Sequence, residues 1–412
     1  MKKILFLAGI AGVLAFSSCK DEVATKYEIT VSVSADGESI ENLTGYSLTV
    51  QNESGAAQTA IESDGYKSTY KLVAGQYTVT GYAENDNFAF TASQQITVSK
   101  DDKVSLILTP STKQKSGIIF KEVYTYGVKS FYFKDAFYEL VNNSDEVQYL
   151  DGIILACLDR GYDPTTSPWA DTLTHQIPQD FYPLAGYIMQ FPGTGKEYPV
   201  DPGQSILIAA QAYDHSSNSR ELGDSDMESP SGDLSNADWE LNIPTQSTNY
   251  DNPDVPSLNV IAGSGGIQFM PAVFGQPLVL AKLPEGVSTE EFVNDTTNYH
   301  SYPGSYSSSL CIPVDCVLDA IDIQRFNEET IVKCFLPKDD AGYIMGAGND
   351  DFDGNIENWV TPMYTGKSLR RKCTFITSTG RAYFKDTNNS SNDFIMGGQT
   401  AKPRRTFTEV DE

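Results

Sequence analysis

The sequence predicts an all-β chain: a small antiparallel β-sandwich followed by a larger β-sandwich domain with long loops and little helix. Three observations lead there. Apolar and polar residues alternate with period two through the first hundred residues, short apolar runs bounded by turn residues recur beyond them, and only one stretch carries helix-start chemistry. The composition agrees, since 412 residues with 11% aromatics, 20% charged residues, 32 Gly and 20 Pro describe a folded chain rich in strands and turns. The length suffices for two or three domains. With 29 Lys and Arg against 55 Asp and Glu, the formal charge is −26. That balance excludes nucleic acid as a partner, because phosphate binding needs an excess of cations on one face.

Residues 1–18 have the order of a secretory signal: Lys2 and Lys3, an apolar run from Ile4 to Phe16, then Ser17-Ser18. The run is too short to span a bilayer, which takes ~20 apolar residues. Cys19 after these small residues resembles the cleavage site of bacterial lipoproteins, in which the new first residue is acylated on its thiol. Lys20-Asp21-Glu22, one basic and two acidic residues, resembles the surface-export signal of Bacteroidetes lipoproteins. The resemblance implies a lipid anchor at Cys19, export information in Lys20, Asp21 and Glu22, a tether over residues 19–26 and a place on the cell-surface side of the outer membrane.

From Tyr27 to Thr109 the alternation runs through Tyr27, Ile29, Val31 and Val33, then Leu48 and Val50, Tyr77 and Val79, Ile96 and Val98, and Val104, Leu106 and Leu108. Turns fall at Asp36-Gly37, Asp64-Gly65, Ala74-Gly75 and Lys100-Asp101-Asp102. Short strands so spaced form an antiparallel sandwich over residues 27–110. Tyr70 to Val79, a Gly turn feeding an aromatic strand, resembles the carboxypeptidase-regulatory or transthyretin-like module, which implies a spacer or adhesion unit. The polar stretch Pro110 to Ser116 marks the boundary.

The second domain is expected over residues 117–412. Its first blocks are Gly117 to Tyr124 with Glu122 inside the strand, Tyr138 to Glu146 ending Asn-Asn-Ser-Asp-Glu, and Tyr149 to Leu155 with a Leu-Asp-Gly turn. These, with Tyr198 to Ile208 and its Pro202-Gly203 turn, resemble the bacterial lamin-tail domain and imply an immunoglobulin-like sandwich serving binding or attachment. Asp214 to Asp254 carries ten acidic residues and a single Arg without periodicity and is expected to be a solvated surface insertion. Gly263 to Gly266 is a turn, not a phosphate cradle, because no βαβ unit surrounds it. Ser288-Thr-Glu-Glu291 has capping-box spacing and predicts a short helix through Asn294. The blocks Val314 to Ile323, Gly366 to Lys372 and Phe384 to Phe394 are similar to an uncharacterised family of Bacteroidetes outer-membrane lipoproteins, a domain of unknown function. That resemblance hints at company with TonB-dependent transporters.

No arrangement of residues supports catalysis. His175, His215 and His300 stand in polar segments away from any Gly-x-Ser-x-Gly elbow, and HExxH is absent. The expectation is a protein that is not an enzyme and has no cofactor. Asn349, Asp351 and Asp353 have the alternate spacing of a calcium loop with Gly354 at the turn, but Val360 stands at the twelfth position where a bidentate Glu belongs. They and the Asx-rich run Asp386 to Asp393 are the candidate cation sites. Cys157, Cys311, Cys316, Cys334 and Cys373 form no CxxC and read as buried thiols, with one disulfide left open. Lys367, Arg370, Arg371, Lys372, Lys402, Arg404 and Arg405 concentrate positive charge, read either as a solvated strand edge or as a contact for anionic lipopolysaccharide or an acidic partner. Trp169, Trp239 and Trp359 are candidate stacking platforms for glycan, or core residues. The expected function is a surface-exposed, lipid-anchored binding or accessory protein of an outer-membrane complex, with a transporter as partner. The alternative is a stand-alone glycan-binding or adhesion lipoprotein.

Overall fold

The structure is a computed structural model and describes residues 24–85, 88–112, 117–125, 127–128, 134–159, 169, 178, 180–216, 229–244, 250–263, 269, 276–324, 333–346, 365–395 and 399–411. Two compact units make up the chain, the first of residues 1–85 and 89–110 and the second of residues 86–88 and 111–412.

Seven strands form the first unit: β1 (Lys26–Ala35), β2 (Thr44–Asn52), β3 (Glu62–Asp64), β4 (Lys67–Val73), β5 (Gly75–Glu84), β6 (Phe88–Val98) and β7 (Asp102–Thr112). They hydrogen-bond in the order β2-β5-β6-β7-β1-β4-β3. The alternation works as expected: Ile29, Val31, Val33, Tyr77, Val79, Leu106 and Leu108 are all buried. Gly81 lies in β5 where a Cβ would meet the methyl groups of Leu106 and Leu108 at under 3 Å, so its missing side chain makes room for theirs. One pair departs from the antiparallel expectation. β1 runs parallel to β7, with Ile29 opposite Asp102 and Ala35 opposite Leu108. The period of side chains is two in either direction, so alternation could not separate the cases.

The second unit begins with β8 (Ile118–Tyr124), β9 (Phe137–Asn142), β10 (Gln148–Tyr149), β11 (Ile153–Leu158), β12 (Phe181–Gln190), β13 (Pro199–Val200) and β14 (Ser205–Ala209). It continues through β15 (Trp239–Glu240), β16 (Asn259–Ala262), β17 (Leu278–Lys282), the helix α1 (Thr289–Asn294), β18 (Tyr299–His300), β19 (Ser309–Pro313) and β20 (Val317–Ile321). β21 (Ile323–Gln324), β22 (Ile344–Met345), β23 (Lys367–Arg370), β24 (Cys373–Ile376), β25 (Ala382–Phe384), the turn-length helix α2 (Ser390–Asp393) and β26 (Gln399–Thr400) complete it. One sheet has the order β18-β19-β12-β11-β17-β20 with β16 also on β12, and the other has β15-β14-β9-β8-β23-β26. Phe120, Leu140, Ile206 and Ile208 of the second meet Ile153, Leu155, Met189 and Leu280 of the first in a common core. This is a β-sandwich.

Its strands do not alternate, and the packing explains why. The outer face of the first sheet, with Ile154, Ala156, Ile188, Val279 and Ile312, is covered by Phe292 of α1, Cys334 and Phe335. The outer face of the second is covered by Leu234, Ala237 and Val255 over Tyr124, Phe137 and Leu207, and by Cys373 and Phe384 over Ile119 and Val141. A strand covered on both faces reads as an unbroken apolar run, as Ile153 to Leu158 does. Local turns follow their sequence signals. Ser288 caps α1 by accepting from the Glu291 N–H, Ser144 N–H bonds Asn142 Oδ1, and Asp151 accepts from the N–H groups of Gly195, Glu197 and Tyr198 beside Gly152 at φ +72°.

Asp214 to Asp254 is not wholly a solvated insertion. Of its described residues, Leu234, Ala237, Trp239, Leu241 and Ile243 are buried and β15 extends the second sheet. Glu240, in that strand, accepts from the Ala212 and Asn252 N–H groups. Burial pushes its carboxyl up to about 7, with Asp251 adding to the rise and these two N–H groups opposing it. Acidic composition hid a core segment because its apolar residues are few and widely spaced.

β16 joins the sheet through a close backbone approach. A Cβ on Gly263, at φ +92°, would sit 1.8 Å from the carbonyl oxygen of Gly186. Backbone cannot yield as a flexible side chain can, so Gly263→Ala should cost at least about 2 kcal/mol in urea unfolding. Gly232→Ala, at φ +63° with open space around it, should cost about 1 kcal/mol as the control.

Candidate binding site and the buried charge layer

The β8 sequence places Lys121 and Glu122 in a strand all of whose residues are buried. A bulge between Phe120 and Glu122 in the β8–β9 register brings these two charges together against Glu139. Lys121 Nζ donates to Glu139 Oε1 at 2.7 Å, to Ser205 Oγ and to the carbonyl of Arg405. Arg405 in turn donates through Nε and Nη2 to the two oxygens of Glu122, at 3.0 and 3.1 Å. Glu122 also accepts from Ser368 Oγ and the Lys402 N–H, and Glu139 from the Arg404 N–H. Burial raises the Glu139 carboxyl, and the Lys121 charge opposes it.

Arg371 is the centre of a second cluster. Its Nη2 lies 2.7 and 2.8 Å from the two oxygens of Asp319, its Nε donates to the Phe120 carbonyl, and its Nη1 reaches Asp386 at 3.3 Å and Asp393 at 3.5 Å. The guanidinium stands over the Phe394 ring at 4.7 Å. Burial pushes the Asp319 carboxyl up against the pull of Arg371, and the neighbouring Asp386 adds to the rise.

These clusters correct the expectation for the basic residues. Arg370 forks onto Asp411 at 2.7 Å, Arg371 holds Asp319, Arg404 pairs with Asp238 at 3.2 Å, and Arg405 holds Glu122. Arg370, Arg371 and Arg405 are internal counter-ions, whereas Arg404 pairs at the surface and Lys402 is exposed. The same finding corrects the Asx-rich run, where the cation beside Asp386 and Asp393 is Arg371, and Asp393 also accepts from the Thr387 and Asn389 N–H groups. Among the described residues no group of three or more His, Cys, Asp or Glu is placed to hold a metal ion. Asn349, Asp351 and Asp353 lie outside the described residues, as do Cys19, Lys20, Asp21, Glu22, His175 and Trp359. Cys157, Cys311, Cys316 and Cys373 are buried free thiols and Cys334 is buried, and burial pushes Cys373 up to about 11 and Cys311 to about 12. That leaves these two almost wholly un-ionised and inert at neutral pH. Trp169 and Trp239 are core residues at 8% and 5% exposure, which removes them as open stacking platforms. His215 is fully buried with Nε2 on the Gln211 carbonyl, and His300 is an exposed ring stacked on Phe181.

Asp135, just before β9, is a buried acid of a different kind. Its Oδ2 accepts from Tyr124 and Ser229 hydroxyls at 3.1 and 2.6 Å, while its Oδ1 has no partner. Burial pushes the carboxyl up to about 6, with the two hydroxyls opposing.

An open cavity of about 470 Å³ lies where β12 changes partner. Phe181 to Pro183 pair with Pro313 to Cys311 of β19, and Ile188 to Gln190 pair with β16. Between the two ladders Gly186 turns the backbone at φ +65° and the neighbouring strands part. Asp159, Gly186, Gly263, Tyr299, Ser308 and Ser309 are among the residues lining the gap. Asp159 Oδ2 receives Ser309 Oγ at 2.9 Å and Trp169 Nε1 at 3.2 Å, and the Tyr299 hydroxyl donates to the Val293 carbonyl. No sequence signal marked this site, because its residues come from four separated segments with no spacing in common.

Fold and site together define a strand-rich protein with a small β module, a doubly covered β-sandwich and a polar cleft at a strand fork. Residues 201–401 match the family model described as Protein of unknown function (DUF4876). The chain is also similar in fold to the crystal structure of a DUF4876 family protein from Bacteroides thetaiotaomicron VPI-5482, at 24% identity and a TM-score of 0.60, over 93% of this chain and 98% of that one. No curated protein matches. The expected resemblance to an uncharacterised family with relatives in Bacteroidetes is supported at that level.

Two predictions follow from the buried charges. Arg371→Met leaves three carboxylates around an apolar side chain and should lower unfolding free energy by roughly 3–5 kcal/mol, with Arg371→Lys losing less because one cation remains. Asp135→Asn keeps an acceptor for Tyr124 and Ser229 and removes the ionisation cost. Since the folded carboxyl titrates at about 6 against 3.8 ordinarily, that cost is full above pH 6 and gone below pH 4. The variant should therefore gain about 2–3 kcal/mol over the parent at pH 8 and nothing at pH 4, read from paired denaturant melts.

Proposed function

We propose that this is a surface-exposed, lipid-anchored protein that serves an outer-membrane complex by binding, without catalysis, and that a TonB-dependent transporter or another outer-membrane protein is its partner. The observation that carries the reading is the run Ser17-Ser18-Cys19-Lys20-Asp21-Glu22 after a short apolar segment. A thiol directly after small residues suits acylation, and several acyl chains at ~0.8 kcal/mol per buried methylene hold a body firmly to a bilayer. On this reading residues 19–26 are the tether and the β units are the exposed body. The resemblance of Tyr70 to Val79 to a carboxypeptidase-regulatory module, and of the second unit to lamin-tail sandwiches, suits attachment and recognition.

A second reading, a stand-alone glycan-binding or adhesion lipoprotein, is favoured by the polar cleft at Asp159, Tyr299 and Ser308. Isolation of tagged protein from detergent-solubilised membranes separates the two. Stoichiometric recovery of a β-barrel protein supports the first reading, and its absence at native expression supports the second.

The anchor has its own test. Cys19→Ala should leave the signal uncleaved or release the body from the membrane fraction. Replacing Lys20, Asp21 and Glu22 together by Ala should keep the anchor but remove the body from protease digestion on intact cells. Retention of Cys19→Ala on the membrane with normal processing would defeat the anchor assignment, and unchanged surface digestion of the triple variant would defeat the export assignment.

A further inference from the structure

We propose that the cleft at the β12 fork is a binding site for a neutral polyhydroxylated ring, the pyranose of a saccharide. The inference rests on the binding part of the function proposed above and names the ligand class. Five features of the cleft carry it. Its volume of about 470 Å³ lies within the range of small-ligand sites. Its single carboxylate, Asp159, has Oδ2 occupied by Ser309 and Trp169. Oδ1 therefore retains acceptor capacity for ligand hydroxyls. Ser308 is exposed at the rim and supplies a hydroxyl that both donates and accepts. Tyr299 spends its hydroxyl on Val293, so what it offers a ligand is ring surface, suited to the C–H face of a sugar. Gly186 presents backbone with open space where a Cβ would stand, which lets a ring approach the gap between the strands.

Charge selects within polar ligands. Among the described lining residues Asp159 is the one charged group, and the chain's formal charge is −26, so an anionic ligand is disfavoured. Among the described lining residues an ammonium ligand would meet one carboxylate, already shared by two donors, while both serine hydroxyls and the glycine backbone suit a neutral polyol better. Affinity for one ring should be on the order of millimolar, since the cleft is open and the ligand small.

The test uses the chain from Lys20 onward, which contains every described residue, labelled with 5-fluorotryptophan. With three Trp in the chain, fluorine NMR gives one resonance each, and Trp169→Phe assigns the one that reports on Asp159. Methyl glycosides of gluco, galacto, manno, N-acetyl and uronic form, and ethylammonium, are titrated to tens of millimolar. The expected result is a saturable shift of the Trp169 resonance with at least one neutral glycoside and none with the uronide. Ser308→Ala should weaken it roughly three- to tenfold, and Asp159→Asn more. Ser308 is exposed, so its variant keeps the test open even if Asp159→Asn folds poorly. No response to any neutral glycoside, binding unchanged in Ser308→Ala and Asp159→Asn, or a response to ethylammonium alone would each overturn the proposal. Because the chain from Lys20 onward lacks Cys19, the titration does not involve the anchor, and such a failure leaves the membrane-complex reading to stand or fall on its own isolation experiment.

Discussion

The second unit depends on one ion pair, Arg371 with Asp319. β23 pairs with β8 only through Leu369–Val123 and Arg370–Glu122, and the Arg371 N–H adds a bond to the Lys121 carbonyl. Beyond that point no strand among the described residues pairs with the edge of β8 at Phe120. Asp319 Oδ2 accepts the Phe120 N–H and the Arg371 guanidinium donates to the Phe120 carbonyl, so two side chains do what a strand backbone would. Asp319 belongs to β20 of the opposite sheet, which makes the same pair a clamp between the layers. A buried pair of this kind adds little net stability over an apolar pair, but losing one partner strands the other in low dielectric. Its value is specificity of register and layer spacing.

Around that clamp the carboxyl-terminal segment becomes structural. Lys402, Arg404 and Arg405 approach Glu122 and Glu139 through backbone N–H groups and a guanidinium, and Asp411 accepts from Arg370 and from the Cys373 N–H. Glu122 and Glu139 face each other in the β8–β9 register, an arrangement that repels unless cations lie beside it. Lys121 and Arg405 are those cations. The bulge at Lys121 is therefore what allows two glutamates to sit in one buried sheet.

Much of the fold was legible where local chemistry decides it. The period-two residues of β1, β5 and β7, the Ser288 cap and the Asn142 and Asp151 turns are read from neighbours a few positions apart. The long-range features were not. Arg371 and Asp319 are 52 residues apart, and nothing in a basic run distinguishes a solvated edge from a set of buried counter-ions. Asp386 and Asp393 looked like cation ligands because they are, with a guanidinium as the cation. Trp239 and Leu241 sat in an acidic stretch whose few apolar residues gave no period, since β15 has only two residues in the sheet. The cleft at Asp159 was invisible for the same reason: a strand that changes partners leaves no mark on its own sequence.

The internal use of arginine bears on partners. All four arginines of the basic run face carboxylates, and those of Arg370, Arg371 and Arg405 are at most one-fifth exposed. Three of the seven cations that composition assigned to a surface patch, Arg370, Arg371 and Arg405, are thus spent inside the second unit. Counter-ions for buried carboxylates cannot also serve phosphate or an acidic partner without stranding those carboxylates, at several kcal/mol each. Arg370, Arg371 and Arg405 therefore offer an anionic surface such as lipopolysaccharide no binding argument, and of the four arginines only Arg404 stands exposed.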